Sequence, residues 1–530
     1  MFSFLPGRHL LWDVILGSGT VRRKYSDATT RPPWKRPSRP TFSRREWLAL
    51  ASVSAVCIPS KLAAAQSTAT GYVTPEQFGA AGDGVTNDTA AFAKMAAYIN
   101  HHGGGTISLR ATTYVVGSQS YQRSNPDYSF TPSPIMEFSG CSKSLSILGN
   151  GARIRCADGL RFGTFDRAGQ PTSHALPYYG TGELACPYFS MIHVANCSGA
   201  VQISDIELDG NVAGLQIGGP WGDSGWQIGC AGLRLDDNTG AVIISNVNSH
   251  HHAQDGGSGN GPGLPGSPEY VSIENCKFAS NGRNAWSMVG GVGWKFSQCS
   301  FDGSARDLPF AGSAPKAGID FEAEGGKYVQ NIHLVDCNAS DNAWSACTHP
   351  GDSHVSDVLW EGGRLVGTIG WSYYGGGNEG IAFKGVTFLG ALVNLTKESF
   401  ADCTFSNDIS QSPTGVLFNP NGWIIPDCVA GNTFAQCAFI HSKPEWSGNG
   451  NFDQALFEDC VFQSVSGAGR LDVYGHFRGS STRFTAANGG TNFAVTPDAL
   501  GGSKSAGGAD DPFSITTSDG STTTYTPTPA

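Results

Sequence analysis

The sequence predicts an all-β chain, a right-handed parallel β-helix closed at one end by a short N-terminal capping helix. Three observations lead there. A strand-like unit recurs along most of the chain, turn residues follow each copy, and helical character is confined to one stretch near the start. Composition agrees: 71 of 530 residues are Gly, only 15% are charged and 39% are apolar, enough to bury a large core.

The recurring unit is clearest in Val271-Ser-Ile-Glu-Asn-Cys276-Lys-Phe278. It returns in Lys295–Phe301, Phe383–Phe388, Phe400–Phe405, Phe434–Phe439 and Phe457–Phe462, with weaker copies centred at Ile206, Val247, Cys337 and Gly362. From Cys276 onward the centres are spaced by 23, 38, 25, 23, 18, 34 and 23 residues, a unit near 23 with insertions. Within each copy apolar and other residues alternate, which is strand periodicity. A unit this short cannot bury its own apolar face, so copies must stack as a solenoid. Stacked strands lie about 4.8 Å apart, so equivalent residues form rows. The Cys and Phe rows are expected inside, the thiols as small buried hydrophobes. None of the 14 cysteines forms a CxxC pair, which speaks against a zinc or thioredoxin-type site.

The stretch Val73-Thr-Pro-Glu-Gln-Phe78-Gly79-Ala80-Ala81-Gly82-Asp83-Gly84-Val85-Thr86-Asn87-Asp88-Thr89, followed by Gly103-Gly-Gly105 and Tyr114, resembles the opening of the pectate-lyase-like superfamily. That group spans rhamnogalacturonases, polygalacturonases, mannuronan epimerases and phage tailspikes. Where they usually carry Pro-x-Gly-x-Tyr, this chain has Arg110-Ala-Thr-Thr-Tyr114. The resemblance implies the β-helix and a polysaccharide partner, with a monomer or a homotrimer both open. Asn87 or Asp88 is expected to cap a helix near 89–100 that plugs the solenoid, a structural role.

Residues 1–65 read as a leader. Ser43-Arg44-Arg45-Glu46-Trp47-Leu48, an uncharged stretch and Ala63-Ala64-Ala65 resemble a twin-arginine export signal, with Trp47 where Phe is usual. The apolar stretch is too short to span a bilayer, so release into the periplasm or medium is expected, without stable membrane insertion. The solenoid, 66–499 with its cap about 71–117, follows, and 500–530 reads as a flexible Ser/Thr/Gly-rich tail. Residues 157–190 and 212–229 break the repeat. Their Tyr178, Tyr179, Tyr188, Trp221 and Trp226 are expected in loops that wall a groove. The net charge of −10 argues against nucleic acid.

One strand aligns across rungs that begin near Gly232, Asp255, Arg283, Gly318, Asn342 and Gly370. Asn-Ala-Trp-Ser occurs at both 284 and 342. By parity Leu233, Trp286, Ile319, Trp344 and Trp371 point inward. Arg234, Ser258, Ser287, Asp320, Ser345 and Ser372 point outward, with Glu322 and Glu324. Three carboxylates on one face repel unless a proton or cation intervenes. Asp255, Arg283 and the run His250-His251-His252 flank them. Asn281-Gly-Arg283 and Gly318-Ile-Asp-Phe-Glu322 also resemble a paired signature of one β-helix branch, Arg-x-Gly-Ile-Ser and Gly-Ile-Asp-Ile-Glu-Pro.

The expected catalytic residues are therefore Asp320, Glu322 and Asp255, with Arg283, His252, Asn284, Arg234, Glu324 and Trp226 on the substrate and no resident metal. Paired carboxylates suit glycoside hydrolysis, one as acid and one as base or nucleophile. A lyase of the pectate type is the alternative, with Ca2+ held between carboxylates and Arg283 or a His as base. A non-catalytic glycan-binding solenoid is a third reading. The polygalacturonase signature is missing, since Asn238-Thr239-Gly240 lacks its Asp.

Overall fold

The computed structural model describes residues 71–172, 182–219 and 228–412, with breaks at 307, 310–311, 350–353, 369 and 376–379, and separate pieces from 423 to 525. The leader with its twin-arginine-type motif lies outside the described residues, as do Tyr178, Tyr179, Trp221 and Trp226. Among the described residues no helix is long and apolar enough to cross a membrane.

The chain coils as a right-handed parallel β-helix, each strand pairing in parallel with its counterpart one coil on. Ile244, Ile273, Phe296, Leu334, Trp360, Phe383, Phe400, Phe434, Phe457 and Phe477 stand in one register row. A second row runs Phe278, Phe301, Ala339, Leu365, Phe388, Phe405, Phe439, Phe462, Phe484. Both are buried, and the later Phe rings stack, Phe400 on Phe434 at 4.7 Å and Phe434 on Phe457 at 5.0 Å. The unit read as one strand is two strands meeting at a bend. The residue before each Cys takes a left-handed backbone: Asn275 (φ 52°), Gln298 (54°), Asp336 (51°), Asp402 (54°), Gln436 (55°) and Asp459 (51°). Asn and Asp tolerate that region better than most residues, which explains their recurrence there. The bend turns the following Cys inward, and all twelve described cysteines are buried free thiols.

Helix α1, Thr89–His102, runs two residues past the expected end and buries Phe92, Met95 and Ile99 against the first coils. Asp88 stands at its N-cap, yet its carboxylate accepts from the Ala81 and Gly82 amides (2.7 and 3.1 Å). Asn87 Oδ1 instead accepts from Thr89. Both residues tie down the cap, as their sequence context suggests.

One wall of the solenoid carries the expected site. Its strands are β1 (Ser190–Ala195), β2 (Ala231–Asp236), β3 (Gly257–Asn260), β4 (Trp286–Val292), β5 (Ile319–Phe321), β6 (Ser345–Thr348), β7 (Trp371–Tyr374) and β8 (Leu392–Val393). The inward row Leu233, Gly257, Trp286, Ile319 and the outward row Arg234, Ser258, Ser287, Asp320 hold as expected. Beyond β5 the register differs. Ile319 pairs with Cys347 and Asp320 with Thr348, then Cys347 with Tyr373. Trp344 and Trp371 are thus not core residues but half-buried side chains packed on Tyr374. The second Asn-Ala-Trp-Ser copy sits three residues out of step with the first. Asn342 repeats the corner role of Asn281, each accepting an amide from the coil before, so Trp344 stands at the position of Arg283 and Cys347 at that of Trp286.

The stretches read as groove loops contain strands. Arg161–Thr164, Leu184–Ala185 and Gln216–Gly218 join Gln119–Tyr121 and Tyr128–Pro132 in a separate five-stranded sheet. Within 500–530, Phe513–Thr516 pairs with Arg483–Ala486 and with Thr522–Tyr525, so the described part of that tail is strand.

Candidate functional site

Asp320 lies on β5 between the inward-facing Ile319 and Phe321, and so on the outer side of the wall. It is nevertheless 1% exposed, Asp255 2% and Arg283 3%. The expected open carboxylate face is thus a covered one. Where the chain turns into β3 and β4, Asp255 and Arg283 enter the same cluster. Arg283 bridges the two acids, 3.1 Å from Asp255 Oδ2 and 3.9 Å from Asp320 Oδ2. Its Nε donates to the Ala314 carbonyl at 3.2 Å, which draws that segment over the cluster.

The two buried acids differ in environment. Asp255 accepts from Arg283, from Ser287 Oγ (2.9 Å) and from the Asn284 amide (3.1 Å). Asp320 accepts only from Asn284 Nδ2, at 3.2 Å, and its Oδ1 has no hydrogen-bond partner among the described residues. Burial and the nearby Glu322 push the Asp320 carboxyl up to about 8, against the pull of Arg283. Burial works against the Arg283 charge, but the facing carboxylates, Asp255 first, outweigh it and hold the guanidinium above its usual value. Asp255 is thus locked to Arg283 at 3.1 Å, beside a protonated Asp320. Asn284 is a corner residue as well, since its Oδ1 accepts from the Ala317 amide at 2.9 Å.

Glu322 and Glu324 leave the strand toward solvent, Glu322 half-buried and Glu324 exposed. Thr348, the register neighbour of Asp320, is buried with its hydroxyl lacking a partner among the described residues, and so is Ser345 Oγ. Buried polar atoms without partners mark places where water or a ligand belongs. One rung further Tyr374 pairs with Thr348, and Trp344, Trp371 and Tyr374 form an aromatic cluster with centroid separations of 4.5–5.7 Å.

Two expected substrate contacts stand elsewhere. His252 is fully buried, its Nδ1 against Tyr188 Oη (2.9 Å) and its Nε2 against Ser249 Oγ (3.1 Å). Burial depresses it to about 3, so it is a neutral core imidazole. The left-handed His251 (φ 55°) reverses the side on which the next residue emerges, so counting along a run of three histidines misplaces it. Arg234 is exposed on the right face but three strand spacings below Asp320, roughly 14 Å, and pairs with Asp236 at 2.6 Å. Trp226 is among the residues not described. Aligning Asn342 with Asn284 puts Trp344 and Trp371 on core parity, which hides the aromatic cluster in the sequence.

No family model matches the chain, and no curated protein does. Solved β-helix proteins resemble it. The A-module of a mannuronan C-5 epimerase from Azotobacter vinelandii is 12% identical, with a TM-score of 0.45 over 80% of this chain and 95% of that one. An exopolygalacturonase from Thermotoga maritima is 10% identical (TM-score 0.33, 86% and 94%). A tailspike from an Acinetobacter baumannii bacteriophage, a capsular polysaccharide depolymerase, is 13% identical (TM-score 0.33, 82% and 65%).

Proposed function

We propose that the chain is an exported polysaccharide-cleaving enzyme, a glycoside hydrolase acting on the outer face of β3–β7. The observation that carries this reading is the Asp320 carboxyl, protonated at neutral pH with Oδ1 unpartnered. A buried acid whose O–H has no acceptor is a proton donor in need of one, and a glycosidic oxygen would serve. Glu322, two residues on and nearer solvent, is the second carboxyl group, base or nucleophile. Asp255 positions Arg283 and Ser287 and does not react. The aromatic cluster beside Thr348 offers flat apolar surface for the C–H face of a sugar ring. Because Asp320 is covered, productive binding must displace the segment around Ala314.

The lyase reading fits the residues less well. Ca2+ needs six to eight oxygen ligands, but Arg283 already stands between Asp255 and Asp320. Held above its usual value, that guanidinium cannot act as a base. No cation is therefore assigned there.

The test is a screen of neutral and uronic polysaccharides that follows reducing ends and unsaturated-uronate absorbance together. The expected result is new reducing ends without new absorbance, lowered about 100-fold or more by Asp320→Asn and by Glu322→Gln. Rising absorbance would make the chain a lyase. Retained glycan binding with no product from any polymer would make it a binding protein.

A further inference from the structure

On the strands that run just before β2 and β3, two histidines and an aspartate converge. Strand Val201–Asp209 ends on Asp209, and strand Val242–His250, paired with it, ends on His250; Asp209 and His250 are register partners. His251 follows in the left-handed conformation, which swings its ring back over the same spot. One ligand atom from each of Asp209, His250 and His251 lies within 4.8 Å of the other two. His250 Nδ1 is 2.6 Å from His251 Nδ1 and 3.7 Å from Asp209 Oδ1.

The tautomers favour a cation. His250 Nε2 meets Glu207 Oε1 at 3.0 Å, so it donates there and Nδ1 carries a lone pair. That carboxylate–imidazole arrangement is how proteins orient a metal-ligating histidine. His251 Nδ1 then holds the proton shared between the rings, and moving it to Nε2 frees a second lone pair. Asp209 Oδ2 is taken by Arg153, while Oδ1 receives only the Asn211 amide and keeps a lone pair. With neutral imidazoles the local charge is three carboxylates (Asp158, Glu207, Asp209) against two guanidiniums (Arg153, Arg155), a net −1 that a cation would offset. For metal–ligand bonds of about 2.0–2.1 Å, tetrahedral donor atoms sit roughly 3.3 Å apart. The His–His pair must open by under about 1 Å and the His–Asp pair close slightly, within reach of the exposed His251.

We propose that Asp209, His250 and His251 form a zinc-type divalent metal site that clasps two successive coils, with Glu207 orienting His250. The donor set of two nitrogens and one oxygen, with one position left for water, suits Zn2+ and disfavours Ca2+, which prefers oxygen ligands. The reading is independent of the glycan site.

The experiment is calorimetric titration of chelator-treated full-length protein with Zn2+ and with Ca2+, together with visible absorption after Co2+ addition. The expected result is one Zn2+ per chain, a tetrahedral Co2+ spectrum and no Ca2+ uptake here. Affinity should fall at least tenfold in His251→Asn, which keeps a residue suited to the left-handed backbone, and in His250→Gln. Zn2+ should raise the melting temperature of the parent protein but not of either variant. Failure to bind Zn2+, or binding unchanged in both variants, would overturn the site.

Discussion

Asp320 and Asp255 face the same guanidinium but differ in hydrogen-bond supply. Asp255 has three donors, whereas Asp320 has one, is desolvated by burial and sits beside Glu322. An unfolded Asp releases its proton near ~4, and folded Asp320 does so near 8. Between those values the folded state holds the extra proton. The stability tied to this group is therefore complete below about 4 and is lost as pH rises through about 8. Asp320→Asn should remove that slope, so its melting temperature should fall less than the parent's between about pH 5 and about pH 9. Turnover, which needs the acid form, should decline above about pH 8. A variant that loses stability at every pH would mark Asp320 as a structural residue. These environments were only partly legible in the sequence. Parity placed Asp320 outside, but parity says nothing about what covers it.

Strand β3 shows how far register reasoning reaches. Leu233, Gly257 and Trp286 stack in one inward column, and the glycine makes room for the indole above it. A Cβ at Gly257 would lie 2.2 Å from Trp286 Cε3 and Cζ3, both rigid ring atoms. Gly257→Ala is expected to destabilise the fold by about 1–3 kcal/mol. Combining it with Trp286→Phe should recover part of that loss, a non-additivity readable by denaturant melts. The small–large alternation was visible as Gly against Trp in aligned rungs. It failed as a guide after β5 because the second Asn-Ala-Trp-Ser lies three residues off the register of the first. Asn342 takes the corner of Asn281, which puts Trp344 at the position of Arg283, outside the core.

From Phe383 onward two files of stacked rings run through the described coils of the solenoid. Each coil touches mainly its neighbours, so damage should stay local. Phe434→Ala removes a ring stacked on Phe400 and Phe457, and should cost about 3–5 kcal/mol. Hydrogen exchange should show lost protection in the coils on either side of Phe434 and unchanged protection in β1–β4. The long repeat made this architecture readable, because the Asn/Asp/Gln–Cys–x–Phe signature states strand, bend and core in a few residues. The five-stranded side sheet has no repeat, and nothing local distinguishes its strands from loops.

The inward file of cysteines carries a consequence of its own. With every described thiol sealed, an alkylating reagent can reach one only when its coil parts from the stack. The sulfur atoms are thus clocks distributed along the axis: under gentle denaturant, the sequence in which Cys276, Cys299, Cys337, Cys403, Cys437 and Cys460 become modified would record the order in which the spiral comes apart.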